Sequence, residues 1–335
     1  MRDVTQANTS DNGTTPILAA QAGYVIEVAG RAPSLHNTQP WRFTVDGEAI
    51  ELYADASRQL RVDPDGREMV ISCGAALYGL RLAVRSLGYV PEVELLPGLV
   101  GPRLLARVRP GRPAPMTPDE RKLLYAVPHR HTHRGPFELD PLPAGLFPQM
   151  QDDAQAEGAT LAEIEPGPAR EELMALVTAS VRRQDRDPRS RAETWRWSRE
   201  LASPDRDGVP AHAFPAEPSR EAGRMPQRDF DLGRGLGLLP AEGPAAPVMA
   251  VLFTSGDGEE DWLHAGQALQ RLLLHAASQW VFASLNTQPL EDVSTRTLIR
   301  QCLALPGAPQ MLLALGVSRT APATARRPAA DLIGP

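Results

Sequence analysis

Between Arg31 and Phe43 the chain concentrates side chains able to face a ligand or brace the loop that does: Pro33, Ser34, His36, Asn37, Gln39 and Trp41. A hydroxyl and two carboxamides can donate to and accept from a polar ligand, and an imidazole adds a titratable group. A second stretch reads His129-Arg130-His131-Thr132-His133-Arg134-Gly135-Pro136-Phe137. Arg130 and Arg134 with Thr132 between them suit a phosphate dianion, because guanidinium forks and a hydroxyl give charge-assisted donors. Arg319, Arg326 and Arg327 in the tail and Gln288 in the loop 284–291 are further polar candidates. Blander readings exist for each: a capping Ser and a loop Asn that satisfy the backbone, and arginines on a solvated turn. Gln39 and Trp41 read as structural, with Trp41 buried under the loop. His129, His131 and His133 alternate and on a strand would share a face, but no carboxylate or Cys lies close enough in sequence to complete a metal site. The acidic run Asp257 to Asp261 reads as a solvated turn and helix start.

The elements that must position these residues follow from periodicity. Residues 21–30 read as a helix that Pro33 ends by removing a backbone donor. Asp46-Gly47 between two extended runs predicts a hairpin. A strong helix begins at Met69, with Gly88 as its terminator. Tyr89 to Leu96 and Leu104 to Val108 read as strands, and the prolines from Pro110 to Pro118 as a connection between halves. Thr117 is the cap of the next helix, with Pro118 at its first position. Helices are expected over 145–156, 170–183, 262–282 and 295–303, with strands over 248–254 and 311–317. Residues 202–247 are dense in Pro, Gly, Arg and Asp without periodicity, the composition of a lid or a disordered loop. Residues 1–20 read as a flexible lead-in.

With 335 residues the chain can form one large domain or two ordinary ones. Its formal charge of −6 argues against a general nucleic-acid binder, and 42% apolar with 23% charged residues is a globular composition. Two cysteines imply no disulfide framework and fit a reducing compartment. No run approaches the roughly 20 apolar residues of a membrane span, and no Gly-x-Gly-x-x-Gly follows a strand. A cytoplasmic protein is expected.

The two long helices superpose in sequence. Gly74, Ala76, Leu77, Leu80, Leu82 and Ser86 meet Gly266, Ala268, Leu269, Leu272, Leu274 and Ser278 at one constant offset. Two unrelated Leu- and Ala-rich helices could also give such identities. If the repeat is real, a ligand site at the junction of two halves is the natural expectation.

The segment Ala32 to Trp41 resembles the Pro-Ser-x-x-Asn-x-Gln-Pro-Trp motif of the nitroreductase-type flavoproteins, and Arg130 to Phe137 resembles their Arg-x-Ser-x-Arg/Lys-x-Phe motif. The likeness spans most of the chain, sparing the first twenty residues and 202–247. In that family the Arg motif comes first, and each flavin lies between two chains; here the order is reversed, as in the Acg-type subgroup. The resemblance therefore implies an α+β, nitroreductase-like fold duplicated in one chain, a pseudo-dimer of two helix-flanked antiparallel sheets. Its halves would be 21–115 and 116–335, with a lid-like insertion at about 202–247. It implies one composite FMN site holding Pro33, Ser34, His36, Asn37, Arg130, Thr132, Arg134, Gln288, Arg319 and Arg326, the reciprocal site being defective. The flavin itself would carry the chemistry, with no metal. The implied function is hydride transfer from NAD(P)H to a nitroaromatic, quinone or similar acceptor. The alternative is a flavin-sequestering protein with little turnover under its lid. The chain would act as a monomer or loose homodimer on small molecules.

Overall fold

The computed structural model describes residues 17–98, 104–217, 225–240, 247–320 and 322–334. Of the expected lead-in, residues 1–16 lie outside these. Helix α1 (Ile17–Ala20) carries a fully buried Leu18, so this turn belongs to the folded body.

Helix α2 (Ala22–Gly30) leads through the polar loop to the predicted hairpin of β1 (Trp41–Asp46) and β2 (Ala49–Ala54). The long helix α3 (Arg67–Ser86) then crosses to β3 (Tyr89–Leu95) and β4 (Leu104–Pro113), giving an antiparallel sheet of order β1-β2-β4-β3. The prolines expected to link the halves partly extend β4 instead. Beyond Val108 this strand pairs only with β3, so Pro110 and Pro113 need no donor on the other side.

The second half opens with α4 (Pro118–Ala126), whose Thr117 and Glu120 form a reciprocal capping box. It continues through α5 (Leu146–Ala156), β5 (Thr160–Glu163), α6 (Pro168–Arg186), α7 (Pro188–Trp197) and the short parallel pair β6 (Ser198–Arg199) and β7 (Val209–Pro210). Then come β8 (Val248–Thr254), α8 (Glu259–Ala277), β9 (Val281–Asn286), α9 (Val293–Cys302), β10 (Ala308–Val317) and α10 (Ala329–Leu332). The second sheet is antiparallel with order β5-β8-β10-β9. Helix α8 stops before the expected Phe282, because Trp280 adopts a left-handed φ of 58° and turns the chain into β9.

The two sheets share a plan: in each, the strands lie in the order first, second, fourth, third, and a long helix joins the second to the third. The break in the plan falls between β5 and β8, which pair with each other although residues 164–247 separate them. Residues 164–247 thus lie between two paired strands, a span longer than the composition-defined 202–247. Its first part forms α6 and α7, whose apolar stripe (Leu173, Val177, Val181) disguises it as ordinary core.

Helices α3 and α8 pack against each other at the centre. A Cβ on Gly74 would overlap the Leu263 carbonyl oxygen, and one on Gly266 would overlap the Ile71 carbonyl oxygen. Both positions therefore require glycine for close backbone approach. Residues 322–334 return to the first half, where Leu332 packs in its core and the Gly334 amide donates to the Phe43 carbonyl. No helix among the described residues is long and apolar enough to cross a membrane.

Candidate functional site

The loop after α2 is held in a costly conformation. His36, Asn37 and Gln39 have φ of 52°, 55° and 51°, the left-handed region that side chains other than glycine rarely adopt. The surroundings fix it from several sides. The Ser34 hydroxyl accepts from the Gln39 amide at 2.9 Å, and Arg58 Nη1 donates to the Thr38 carbonyl at 2.8 Å. Asn37 Nδ2 donates to the carbonyls of Gly208 and Ala325, at 2.8 and 3.1 Å. Gln39 Nε2 donates to the Arg206 carbonyl at 2.8 Å, while its Oε1 accepts from the Arg327 amide at 2.8 Å. The loop is thus tied to the insertion and the tail, and Trp41 beneath it is fully buried.

A cavity of about 70 Å³ lies between the halves. Six predicted residues line it: Pro33, Ser34 and His36 from the first half, and Thr132, Arg134 and Gln288 from the second. Asn37 and Arg130 stand behind this wall. Asn37 clamps the insertion and tail, and the buried Arg130 donates through Nη2 to the Arg31 carbonyl at 3.1 Å. Arg326 lies near the same guanidinium groups, with Nη2 donating to the Ala32 carbonyl at 3.3 Å. Arg319 is exposed and does not line the cavity. The three alternating histidines are not on a strand and do not converge: His131 contacts the Pro128 carbonyl and His133 the Pro136 carbonyl.

Charge dominates one end. Burial pulls Arg130 and Arg134 down to about 10, with Arg228 adding to the effect on Arg134. Burial also takes Arg326 well below the usual guanidinium range, assisted by repulsion from Arg130, Arg31 and Arg134. Among the described residues no carboxylate pairs with Arg130, Arg134 or Arg326, and Arg130 Nε, Arg130 Nη1, Arg134 Nη1 and Arg326 Nε are buried without a hydrogen-bond partner. Unpaired buried cations are costly, and an anion bound among them would offset the cost. The same field acts on the imidazoles: burial first, then Arg228 and Arg134, hold His36 far below its usual range. Burial, then Arg130 and Arg326, bring His131 down to about 3.

Several residues around the cavity carry no individual signal in sequence. The insertion supplies Gln227, Arg228 and Phe230, which cover the cavity. Gln227 Nε2 donates to Ser284 Oγ at 3.1 Å, and Arg228 pairs with Glu291 at 2.6 Å. Asn286 Nδ2 donates to the Pro226 carbonyl at 2.8 Å. The Phe230 ring meets His36 edge-on at 5.3 Å and lies 5.2 Å from the Arg134 guanidinium. Helix α3 contributes Glu68 and Ser72 at its first turns. The only hint was the phase of α3, whose buried face includes these polar residues.

The donor set fits FMN. Guanidinium groups stand at one end for a phosphate, and Ser34, Ser284, Asn286 and Gln288 offer hydrogen bonds for a ring. The volume is below the roughly 300–1,000 Å³ of ordinary ligand pockets, since Gln227, Arg228 and Phe230 share the space.

No family model matches the chain. A protein of Mycobacterium tuberculosis named as an NAD(P)H nitroreductase is 35% identical over 300 residues, covering 87% of this chain and 83% of that protein. Another from the same organism, the NAD(P)H nitroreductase acg, is 28% identical over 311 residues, covering 90% and 92%. Among solved structures, an FMN-bound nitroreductase of Desulfitobacterium hafniense matches with 14% identity and a TM-score of 0.37, over 64% of this chain and 97% of that one. The chain belongs to the nitroreductase family. Within it, the chain is related to Acg, and the fold is nitroreductase-like.

Proposed function

We propose that this protein binds FMN and passes hydride from NAD(P)H to a nitroaromatic, quinone or similar small acceptor. The observation that carries this reading is the cluster of Arg130, Arg134 and Arg326, buried without a carboxylate partner beside a cavity lined from both halves. FMN would supply the redox chemistry when bound. Arg130, Arg134 and Arg326 would hold its phosphate, Thr132 would add a hydroxyl, and Ser34 and Gln288 would orient the ring. Pro33 stiffens the wall, neutral His36 offers an imidazole face, and Asn37 keeps the loop in its strained shape. Arg319 has no part in the site as the geometry stands.

The shared strand order supports a fused pseudo-dimer with halves at about 21–115 and 116–335. So does the reciprocal contact of Gly74 with Leu263 and of Gly266 with Ile71, which relates residues by the repeat's own offset. One complete site per chain needs no partner subunit, so a cytoplasmic monomer is the simplest assembly.

The cover formed by Gln227, Arg228 and Phe230 favours a second reading, in which the flavin is sequestered with little turnover. One experiment separates the two: the purified protein is checked for a flavin spectrum and then mixed with NADPH without oxygen. Bleaching within seconds supports the oxidoreductase, a yellow protein that stays oxidised supports sequestration, and a colourless protein unable to take up added FMN sinks both.

A further inference from the structure

Among the residues that line the cavity, Glu68 is the one acid. It lies in the first turn of α3, at the junction of the halves, and its side chain is only 3% exposed. Its neighbours come from every side: Arg67 pairs with it along the helix, Asp63 precedes the helix, Glu291 follows β9 and Arg228 reaches in from the cover. Ser72, one turn on, donates its hydroxyl to the Glu68 carbonyl at 2.7 Å and lines the cavity beside it. A carboxyl in such a place needs a reason, because burying one costs several kcal/mol unless it is paired or stays protonated. Arg67 is shared: its Nη2 donates to the Glu68 carboxyl, while its Nη1 donates to the Gln310 carbonyl and side chain at 3.0 and 2.8 Å.

We propose that Glu68 is the proton donor of the oxidative half-reaction, an inference that rests on the flavin reading above. Two-electron reduction of a quinone needs one hydrogen nucleus travelling with the electron pair and one proton. The reduced flavin provides the first, at one quinone oxygen. Glu68 provides the second: its O–H bond breaks as a bond to the other quinone oxygen forms, leaving hydroquinone, oxidised flavin and the Glu68 carboxylate. Solvent restores the proton when product leaves. Gln227, Arg228 and Phe230 stand over the cavity beside Glu68, so a donor built into the wall would not depend on solvent reaching the acceptor. Burial first, against the opposing pull of Arg67 and with support from Glu291 and Asp63, pushes this carboxyl up to about 8, which favours a proton on it in the folded protein.

The test uses FMN-loaded protein and its Glu68→Gln variant, with benzoquinone as the acceptor. Anaerobic reduction by NADPH, measured per bound FMN, should be affected far less than reoxidation, because that half-reaction consumes no proton. Reoxidation by benzoquinone should slow by about 100-fold or more at pH 7. In the wild type that rate should decline above pH about 8, while the variant shows no such step. A second readout needs neither turnover nor a stable variant: difference-infrared titration of the wild-type protein should show a protonated carboxyl band that disappears near the same pH. Wild-type reoxidation kinetics in the flavin-loaded variant, or a wild-type rate and infrared spectrum that do not change between pH 6 and 10, overturn the assignment. A wild-type protein that binds no FMN overturns the functional reading itself, a result distinct from either of these.

Discussion

Arg134 reaches the cavity from one half and Asn37 braces its wall from the other. Arg134→Ala removes a charge-assisted donor of about 1.5–3 kcal/mol, so FMN affinity should fall by roughly 10- to 150-fold in a flavin titration. Asn37→Ala frees Gly208 and Ala325 and should also weaken binding, through the loop's shape. Unchanged affinity in both variants would count against a composite site. Buried titratable groups also predict how stability varies with pH. His36, His131 and His133 are all held below the ordinary 6.5, so the unfolded chain takes up protons that the native one refuses. Their contribution is present above 6.5 and is lost as pH falls below it, for His131 down to about 3, and the thermal midpoint should drop as the solution is acidified. Glu68 acts on the other side: raised from 4.5 to about 8, it keeps its proton only when folded, so stability declines as pH rises between those values. Glu68→Gln should remove the decline between pH 4.5 and about 8 and leave the histidine-linked loss on acidification intact.

At the scale of elements, the cover is the part most open to experiment. Its turn is organised by Asp231, whose carboxylate accepts from the amides of Gly235, Leu236 and Gly237 at 2.7, 2.6 and 2.9 Å. Burial opposes the charge, yet these donors hold Asp231 below the usual carboxylate range. The cover is then fastened to the second half by Arg228 and Glu291. Removing Arg228 leaves Glu291 without its cation, at a cost of up to about 3–5 kcal/mol in a buried setting. The remaining bonds from Gln184 and Thr287 to Glu291 place the expected value toward the lower end. Arg228→Ala and Asp231→Ala should therefore open the cover and accelerate both FMN release and reoxidation by a bulky quinone. Unchanged rates in stopped-flow measurements would show that the cover does not limit access.

For the whole molecule, the crossing of α3 and α8 decides whether the halves stay together. A side chain at Gly266 meets the Ile71 carbonyl oxygen, backbone that cannot yield cheaply. Gly266→Val should destabilise the protein by several kcal/mol and disrupt the cavity that spans the junction, readable as a lowered thermal midpoint with loss of flavin uptake. Ligand binding works in the opposite direction: FMN at 100 times its dissociation constant should add about 2.7 kcal/mol of stability. A thermal midpoint that ignores FMN would contradict the functional reading.

Much of this was legible in the sequence because it was local. The hairpin at Asp46-Gly47, the capping box at Thr117 and the two long apolar helices follow from turn chemistry and periodicity within a few residues. Two polar motifs identified the walls of a site, and a constant offset between α3 and α8 anticipated their glycine-to-glycine contact. What only the tertiary structure decided depends on groups far apart in the chain. That Asn37 faces Gly208 and Ala325 rather than the cavity is set by how the insertion and tail return over the loop. That the insertion begins after Glu163 follows from the pairing of β5 with β8, because an apolar helical stripe looks the same in an insertion as in a core. That Glu68 is the one acid lining the cavity, with Arg228, Glu291 and Asp63 converging on it, is a matter of burial and tertiary placement, and neither dielectric nor convergence is written in any single stretch of residues.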